Sequence, residues 1–454
     1  MLQDFFKGKK ITLMGLGLLG RGVGDALFLA QHGAELTVTD MKTAEQLVES
    51  VEKLSSFKNV TFALGGHRLE DFQNRDLIIR AANVPLDSVF LKEAQKNGIP
   101  IEQSVSLFVQ LLHEYKKNAG REHEKYLVGV TGSKGKTTVT HLIYEMLSRA
   151  FPERRVRMGG NVQGISTLAY LDDVQPDDLF VLELDSWQLA SFGDKKMSPH
   201  VAVFTTFLPD HMNYYKGDMD RYFNDKANIF CFQDDSGVCF IGENVGSWVA
   251  KHHPHHAERL ERPEQREFQE RSLSLKGKHN TENIALAASA ARSFGVRDDV
   301  IENVVAHFAG VPGRLQFLFE RDGISYYNDT TATMPDAVVA ALEALGEKRN
   351  IILILGGADK ELPLETLAAA LPRYARSLVF LEGTGTDRIR SLIADADFEH
   401  VVTVGSMQEA VAQAHSIARK GDSILLSPGF ASFGMFVNEY DRGDQFIQEV
   451  QAYA

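Results

Sequence analysis

A chain of 454 residues is long for one hydrophobic core, so about two to three domains are expected. Apolar residues make up 44% and charged residues 24%, and no apolar run reaches the roughly 18 residues that a membrane span needs. With 48 basic against 61 acidic residues the formal net charge is −13, which excludes a nucleic-acid surface as the main business and leaves any phosphate ligand dependent on local lysines and arginines.

Cys231 and Cys239 are the only cysteines. They make neither a disulfide framework nor a zinc pattern, and they fit a reducing cytoplasm. The N-terminal MLQDFFKGKK enters a strand with no signal-peptide core, so a cytoplasmic location without membrane insertion is expected.

Along the chain, Lys10 to Met14 reads as a strand, followed by the turn Gly15-Leu16-Gly17-Leu18-Leu19-Gly20 and a helix to about His32. A second strand, Glu35 to Thr39, ends at Asp40. Glycines for a tight turn with an acid about 20 residues later form a dinucleotide fingerprint, but the pattern fits any nucleotide diphosphate on a helix N-terminus. Strands at Asn59 to Ala63, Leu77 to Arg80 and Ile99 to Ile101 complete a first Rossmann-like α/β unit, residues 1–102.

The second unit, residues 103–309, is built on YLVGVTGSKGKTTVTHLIYEMLSR, Tyr126 to Arg149. An apolar strand runs into a glycine-rich turn and then an amphipathic helix with Val139, Leu142, Ile143, Met146 and Leu147 on one face. This is a polyphosphate cradle of the P-loop NTPase type on a parallel sheet. Backbone amides face the anion, Lys136 supplies charge and the Thr137 hydroxyl can hold Mg²⁺. Val130 stands where the longer loop has its first glycine, so the cradle is the shorter form, Gly132 to Thr137.

Further strands are expected at Leu179 to Leu184, Val201 to Thr206 and Val238 to Ile241. Glu183 ends the first of these, a suitable place for a Mg²⁺ ligand, with a plain surface glutamate as the alternative. His211 follows the second, and Lys226 lies in a helix beyond it. The tract Lys251-His-His-Pro-His-His256 reads as a solvated loop, because Pro254 interrupts it and Glu/Arg-rich sequence follows.

Gly310-Val-Pro-Gly-Arg314 marks a boundary. A third Rossmann-like unit, residues 310–454, follows. Its strands are expected at Ile351 to Leu355, Ser377 to Leu381, Val401 to Val404 and Ser423 to Leu426.

One ordered set of motifs covers nearly the whole chain: TGSKGKTT, GGN (Gly159 to Asn161), LELDSWQL, DHMN, Lys226, GKHNTEN (Gly277 to Asn283), GVPGR, NDTTAT, GGADKE and LSPGFAS. In this order the set resembles the Mur ligases. The resemblance implies a three-domain α/β enzyme that forms an amide bond at the expense of ATP in peptidoglycan precursor synthesis. ATP phosphorylates the terminal carboxylate of UDP-N-acetylmuramoyl-L-alanine, and the amine of glutamate, expected as D-glutamate, attacks the acyl phosphate. Two anions meet in such a step, so cations must concentrate at the site.

By the same resemblance Lys136, His211 and Lys226 are the catalytic residues. ATP lies on Gly132-Ser133-Lys134-Gly135-Lys136-Thr137-Thr138, with Asn280 and Asn283 on its adenine side and Arg314 and Asp329 reaching it from the third unit. Two Mg²⁺ sites are implied, one on Thr137 and Glu183, the other served by His211 and by Lys226 as a carbamate. The first unit would bind the UDP part of the substrate through Gly15, Gly17, Leu18, Leu19, Asp40 and Lys42, with Asn161 near the sugar diphosphate. Lys360, Ser432 and Thr331 would receive the amino acid, and a monomer is expected.

The departures gather at the amino-acid end. Thr331 stands in place of the family's lysine, and Glu439 in place of an aromatic residue. An acid gained and a cation lost disfavour an anionic amino acid unless Glu439 points away, Lys360 and Arg442 compensate, or the amino acid is presented differently. L-glutamate or another amino acid therefore stays open. Smaller departures are Lys42 for Arg, Lys134 for Asn, and Val-Gln-Gly after Asn161. A folylpolyglutamate synthase is disfavoured by the added N-terminal unit. A nicotinamide-dependent oxidoreductase with an accessory NTPase domain is the reading from another class.

Overall fold

The computed structural model describes residues 3–454 apart from 18–19, 83, 86, 163, 264–277, 309, 347–348 and 361. Leu18 and Leu19 thus lie outside the described residues.

Three sheets carry the architecture. The first holds β1 (Lys10–Met14), β2 (Glu35–Asp40), β3 (Val60–Leu64), β4 (Leu77–Arg80) and β5 (Ile101–Glu102) in the parallel order β3-β2-β1-β4-β5. Strand order reverses between β1 and β4, so the crevice at their C-terminal ends is where an open α/β sheet takes a ligand.

The second sheet holds β6 (Leu127–Thr131), β7 (Val156–Gly160), β8 (Leu179–Glu183), β9 (Val201–Phe204), β10 (Val238–Ile241) and β11 (Leu260–Glu261), ordered β11-β10-β9-β6-β8-β7 and all parallel. Every residue of β6, β8 and β9 is buried. Helices cover both faces of such a sheet, which is why these strands read as continuous apolar runs.

The third sheet holds β12 (Gln316–Arg321), β13 (Ile324–Asn328), β14 (Ile351–Gly356), β15 (Ala375–Leu381), β16 (His400–Val404) and β17 (Ser423–Leu426), ordered β12-β13-β17-β14-β15-β16. Only the β12–β13 hairpin is antiparallel. β7, β11 and this hairpin went unforeseen in the sequence. β7 and β11 carry few apolar residues and lie at the margins of their sheet, as β12 lies at the margin of the third.

The chain divides into two compact units rather than the three expected: a first of Met1–Ser272 and Lys278–Ala306, which joins nearly all of the first two expected units, and a second, so called from here on, that includes His307–Ala454. The first two sheets share the former. Side chains stitch them together: Arg80 reaches Ser191 (3.3 Å), Gln103 donates to the Trp187 carbonyl (2.8 Å), Lys195 pairs with Glu102 (2.5 Å) and Ser166 donates to Asp25 (2.6 Å). Among the described residues no helix is long and apolar enough to cross a membrane.

Candidate functional site

The phosphate loop is shaped from its flank. β6 ends at Thr131, and Gly132 (φ 146°) and Gly135 (φ 85°) adopt backbone angles that favour glycine. A Cβ on Gly132 would lie 2.0 Å from Thr205 Oγ1, and one on Gly135 would lie 2.5 Å from Asn283 Oδ1. The chain leaving β9 holds the loop. Ser133 Oγ donates to the Leu208 carbonyl (2.8 Å), and the Lys134 amide donates to Thr206 Oγ1 (2.9 Å). Gly135 then caps the helix Lys136–Ala150, and Lys136 Nζ folds back to donate to the Gly132 carbonyl at 2.8 Å. Asn283 Nδ2 donates to Asn280 Oδ1 (3.1 Å) beside Gly135. Thr137 and Thr138 are only partly buried.

Around this loop the fold gathers the dispersed charges. Lys226, from the helix Met219–Ala227, is 1% exposed. Its Nζ donates to the Gly132 carbonyl (3.1 Å) and to Thr131 Oγ1 (3.3 Å). Burial above all, and then Lys136, push this amine well below the ordinary lysine range, against Asp185, Asp210 and Glu183. Burial also lowers His211, and Lys226 and Lys136 lower it further, with Asp210 and Asp185 opposing. The His211 ring packs on Trp187 at 4.5 Å with its backbone left-handed (φ 56°).

Glu183 ends β8 with 4% exposure, and no described residue donates a hydrogen bond to its carboxylate. A buried, unpaired carboxylate beside a phosphate loop fits a hard cation, which supplies the missing countercharge. No three His, Cys, Asp or Glu side chains cluster as a metal centre among the described residues. A divalent cation on Glu183 and Thr137 would therefore draw its remaining ligands from phosphate oxygens and water.

Asp185 and Asp210 were missed in the sequence reading. Asp185 caps the helix Ser186–Asp194, accepting from the Gln188 amide at 2.8 Å, and Asp210 lies 3.7 Å from His211 Nε2. Both belong to motifs already singled out, LELDSW and PDHMN, so their positions beside Glu183 and His211 were the available signal.

In the first sheet, Asp40 accepts from the amides of Leu16 (2.8 Å), Gly17 (3.0 Å) and Lys42 (2.9 Å). The carboxylate thus fastens its own glycine turn, which removes the main support for a nicotinamide ribose there. Gly15 (φ 100°) abuts the loop after β4, since a Cβ would lie 2.7 Å from Ala81 Cβ. Asn161 donates its amide to the Glu183 carbonyl (2.7 Å) and accepts from Arg21 on Oδ1 (2.7 Å).

In the second unit, Asp329 is 7% exposed and accepts from the Leu315 amide (2.9 Å) and Ser427 Oγ (2.7 Å), and burial pushes its carboxyl up to about 7. Arg314 is exposed near it, and its charge opposes that rise. Thr331 Oγ1 donates to the Gly313 carbonyl (2.8 Å), Ser432 is buried, and Lys360 is exposed. Arg442 is completely buried and bonds to the Thr330 and Phe430 carbonyls; burial pushes its guanidinium down and the Glu439 charge opposes that, so Glu439 and Arg442 offset one another in part.

The histidine tract departs from its reading as a solvated loop. His252 stacks on Trp248 (5.6 Å, 9°), and His253 sits between Cys231 Sγ (3.6 Å) and Asn224 Oδ1 (3.0 Å). Trp248 on the same helix as His252, and Phe223 on the helix Met219–Ala227, give these rings a packed surface.

Comparison with known proteins joins these parts. Residues 130–256 match the Mur ligase middle domain, and residues 313–430 match the domain described as Mur ligase, glutamate ligase domain. The chain is 35% identical to the UDP-N-acetylmuramoylalanine--D-glutamate ligase of Roseiflexus sp. (strain RS-1), over 98% of this chain and 99% of the relative. It is 31% identical to the same-named protein of Borreliella burgdorferi (strain ZS7), over 98% of each. Among solved structures, UDP-N-acetylmuramate-alanine ligase MurC from Thermotoga maritima shares the fold with a TM-score of 0.60 at 18% identity, over 98% of this chain and 100% of that one. The MurF ligase from Thermotoga maritima in complex with ADP gives a TM-score of 0.53 at 18% identity, over 85% of this chain and 97% of that one. The chain belongs to the Mur ligase family.

Proposed function

We propose that the protein joins glutamate to UDP-N-acetylmuramoyl-L-alanine with conversion of ATP to ADP and phosphate, D-glutamate being the expected amino acid. Full-length identity to two ligases of that name supports the substrates. The observation that carries the chemistry is the convergence of Lys136, Lys226, His211 and the unpaired Glu183 on one glycine loop. Residues 1–102 hold the UDP moiety, 103–309 hold ATP, and 310–454 bring the amino acid.

In this reading the loop amides from Gly132 to Thr138 and Lys136 hold the β- and γ-phosphates. Asn280 and Asn283 are assigned to the adenine side, and the family resemblance assigns Arg314 and Asp329 to the nucleotide as well. Thr137 and Glu183 would hold one Mg²⁺, and His211 with Lys226 as a carbamate would serve a second; the ions would neutralise charge on the phosphoryl group. Lys136 and His211 orient the substrate carboxylate against the γ-phosphate and the acyl phosphate that follows. The displaced phosphate leaves when the amino-acid nitrogen has attacked the carbonyl. Gly15, Gly17, Asp40, Lys42 and Asn161 position the UDP-sugar, and Lys360, Ser432 and Thr331 form the amino-acid end. The enzyme works as a cytoplasmic monomer.

The test is phosphate release from ATP with Mg²⁺, UDP-N-acetylmuramoyl-L-alanine and, in turn, D-glutamate, L-glutamate and a panel of other amino acids. Release with D-glutamate is expected. No release with any of them refutes the ligase reading, and release with L-glutamate alone reassigns the amino acid.

A further inference from the structure

In the second unit, three loops leave the C-terminal ends of the adjacent strands β13, β17 and β14. Ala358 and Ala431 exchange both backbone hydrogen bonds, 3.0 Å each, which draws the loop of Lys360 against the loop of Ser432. The third loop is tied in by Arg442, one turn into the helix Glu439–Val450. Its guanidinium donates to the Phe430 carbonyl (3.3 Å), the Thr330 carbonyl (2.8 Å) and the Thr330 hydroxyl (3.2 Å). That hydroxyl donates in turn to the carbonyl of Glu439, the first residue of the helix. Glu439, Lys360 and Ser432 are thereby brought to one end of the sheet on elements that hydrogen bonds lock together.

Engaged and free groups separate cleanly here. Arg442 is held by neutral oxygens, and the Thr331 hydroxyl holds the Gly313 carbonyl. Among the described residues, no hydrogen bond or ion pair engages the Lys360 ammonium, the Ser432 hydroxyl or the Glu439 carboxylate. Partial desolvation of the Lys360 ammonium disfavours its charged form, Glu439 favours it and Arg442 disfavours it; Glu439 likewise favours the charged form of Arg442, so this carboxylate faces both cations without a contact pair.

A free amino acid carries the complementary charges, a cationic amino group and at least one carboxylate. Resting on the reading that this unit receives the amino acid, we propose that Glu439 binds the amino group of the incoming amino acid in its ammonium form, while Lys360 and Ser432 take a carboxylate of the same molecule. A carboxylate facing Glu439 is repelled and an ammonium attracted, so the residue sets which end of the amino acid enters where. Its place in the first helical turn suits an anion. The ammonium gives up one proton to solvent before the nitrogen attacks and a second from the adduct that follows, and the resulting amide carries no charge, so Glu439 loses its partner. The pairing therefore favours the free amino acid over the product.

Glutarate keeps the two carboxylates of glutamate and lacks the amino group, so it separates the possibilities. With the full chain, glutarate should compete with glutamate at least about tenfold more weakly than glutamate binds. Glu439→Gln should raise the KM for glutamate by about tenfold, leave the KM values for ATP and the UDP-substrate unchanged, and bring glutamate and glutarate to within about threefold of each other. Glu439→Asp should restore part of the difference. An unchanged glutamate-to-glutarate ratio in Glu439→Gln, or a lower KM for glutamate, overturns the assignment. Failure of the unsubstituted protein to release phosphate with every amino acid refutes the ligase reading itself, which is a separate result.

Discussion

Lys226 Nζ lies 3.1 Å from the Gly132 carbonyl oxygen, so a fully buried amine forms part of the phosphate loop's rim. Burial and the nearby Lys136 hold it well below the ordinary lysine range. The unfolded chain then binds the proton more tightly, and this group's contribution to stability grows as the pH rises towards the lysine value of 10.5. The neutral amine is also the form that combines with carbon dioxide. The carbamate so formed would offer an oxygen ligand where the ammonium offers a repelling charge. Turnover of the wild-type protein is expected to rise with added bicarbonate. Labelled bicarbonate should give a carbamate carbon signal that Lys226→Ala lacks. That variant should lose about 100-fold or more in kcat. Wild-type turnover by Lys226→Ala at saturating Mg²⁺ would remove Lys226 from the mechanism.

Gly135 offers a test of the loop that touches no charge. Its backbone is left-handed (φ 85°), and an added Cβ would meet Asn283 Oδ1 at 2.5 Å. Strain of about 1–2 kcal/mol from the backbone alone adds to the displacement of Asn283. Gly135→Ala should weaken ATP binding by at least about tenfold in a direct titration while leaving affinity for the UDP-substrate unaltered. Equal ATP affinity in the two proteins would show that loop shape is not what positions the nucleotide.

The sequence was most informative where a motif and a periodicity coincided. The strand, glycine turn and helix from Leu127 to Ala150 were legible because buried strands, left-handed glycines and an amphipathic face leave independent marks. Asp185 and Asp210 were not, because an acid that caps a helix or flanks a histidine looks like any loop acid until the fold brings it to Lys226. The burial of Arg442 was hidden for a related reason. Its formal charge was visible, but the carbonyls that hold it come from Thr330 and Phe430, and only tertiary structure brings these together.

Asp40 separates two chemistries for the first sheet. Its carboxylate accepts from three backbone amides of the glycine turn and the β2 exit. In Asp40→Asn the new amide nitrogen faces donors, leaving at least one amide unpaired at about 1–3 kcal/mol. The loosened turn should raise the KM for the UDP-substrate by about tenfold or more while the KM for ATP stays the same. Equilibrium dialysis of the wild-type protein should detect UDP and no NADH. Tight NADH binding that Asp40→Asn abolishes would restore the oxidoreductase reading.

Asp329 yields a pH dependence with a defined sign. Burial raises its carboxyl from 3.8 to about 7. Between those values the folded protein holds a proton that the unfolded chain has released. The stability this group contributes is therefore complete below pH 3.8 and is lost as the pH rises through about 7. At about 1.4 kcal/mol per unit, the loss amounts to a few kcal/mol. Asparagine at this position would stay neutral throughout, accept from Leu315 and donate to Ser427. Hydrogen exchange of the β13 and β17 amides reports on this unit locally. Their protection in the wild-type protein should fall relative to Asp329→Asn between about pH 4 and about pH 8, leaving the variant more protected at the alkaline end. A difference between the two proteins that does not change with pH would mean that Asp329 is ionised across the whole range and that its surroundings, Arg314 among them, carry the charge without penalty.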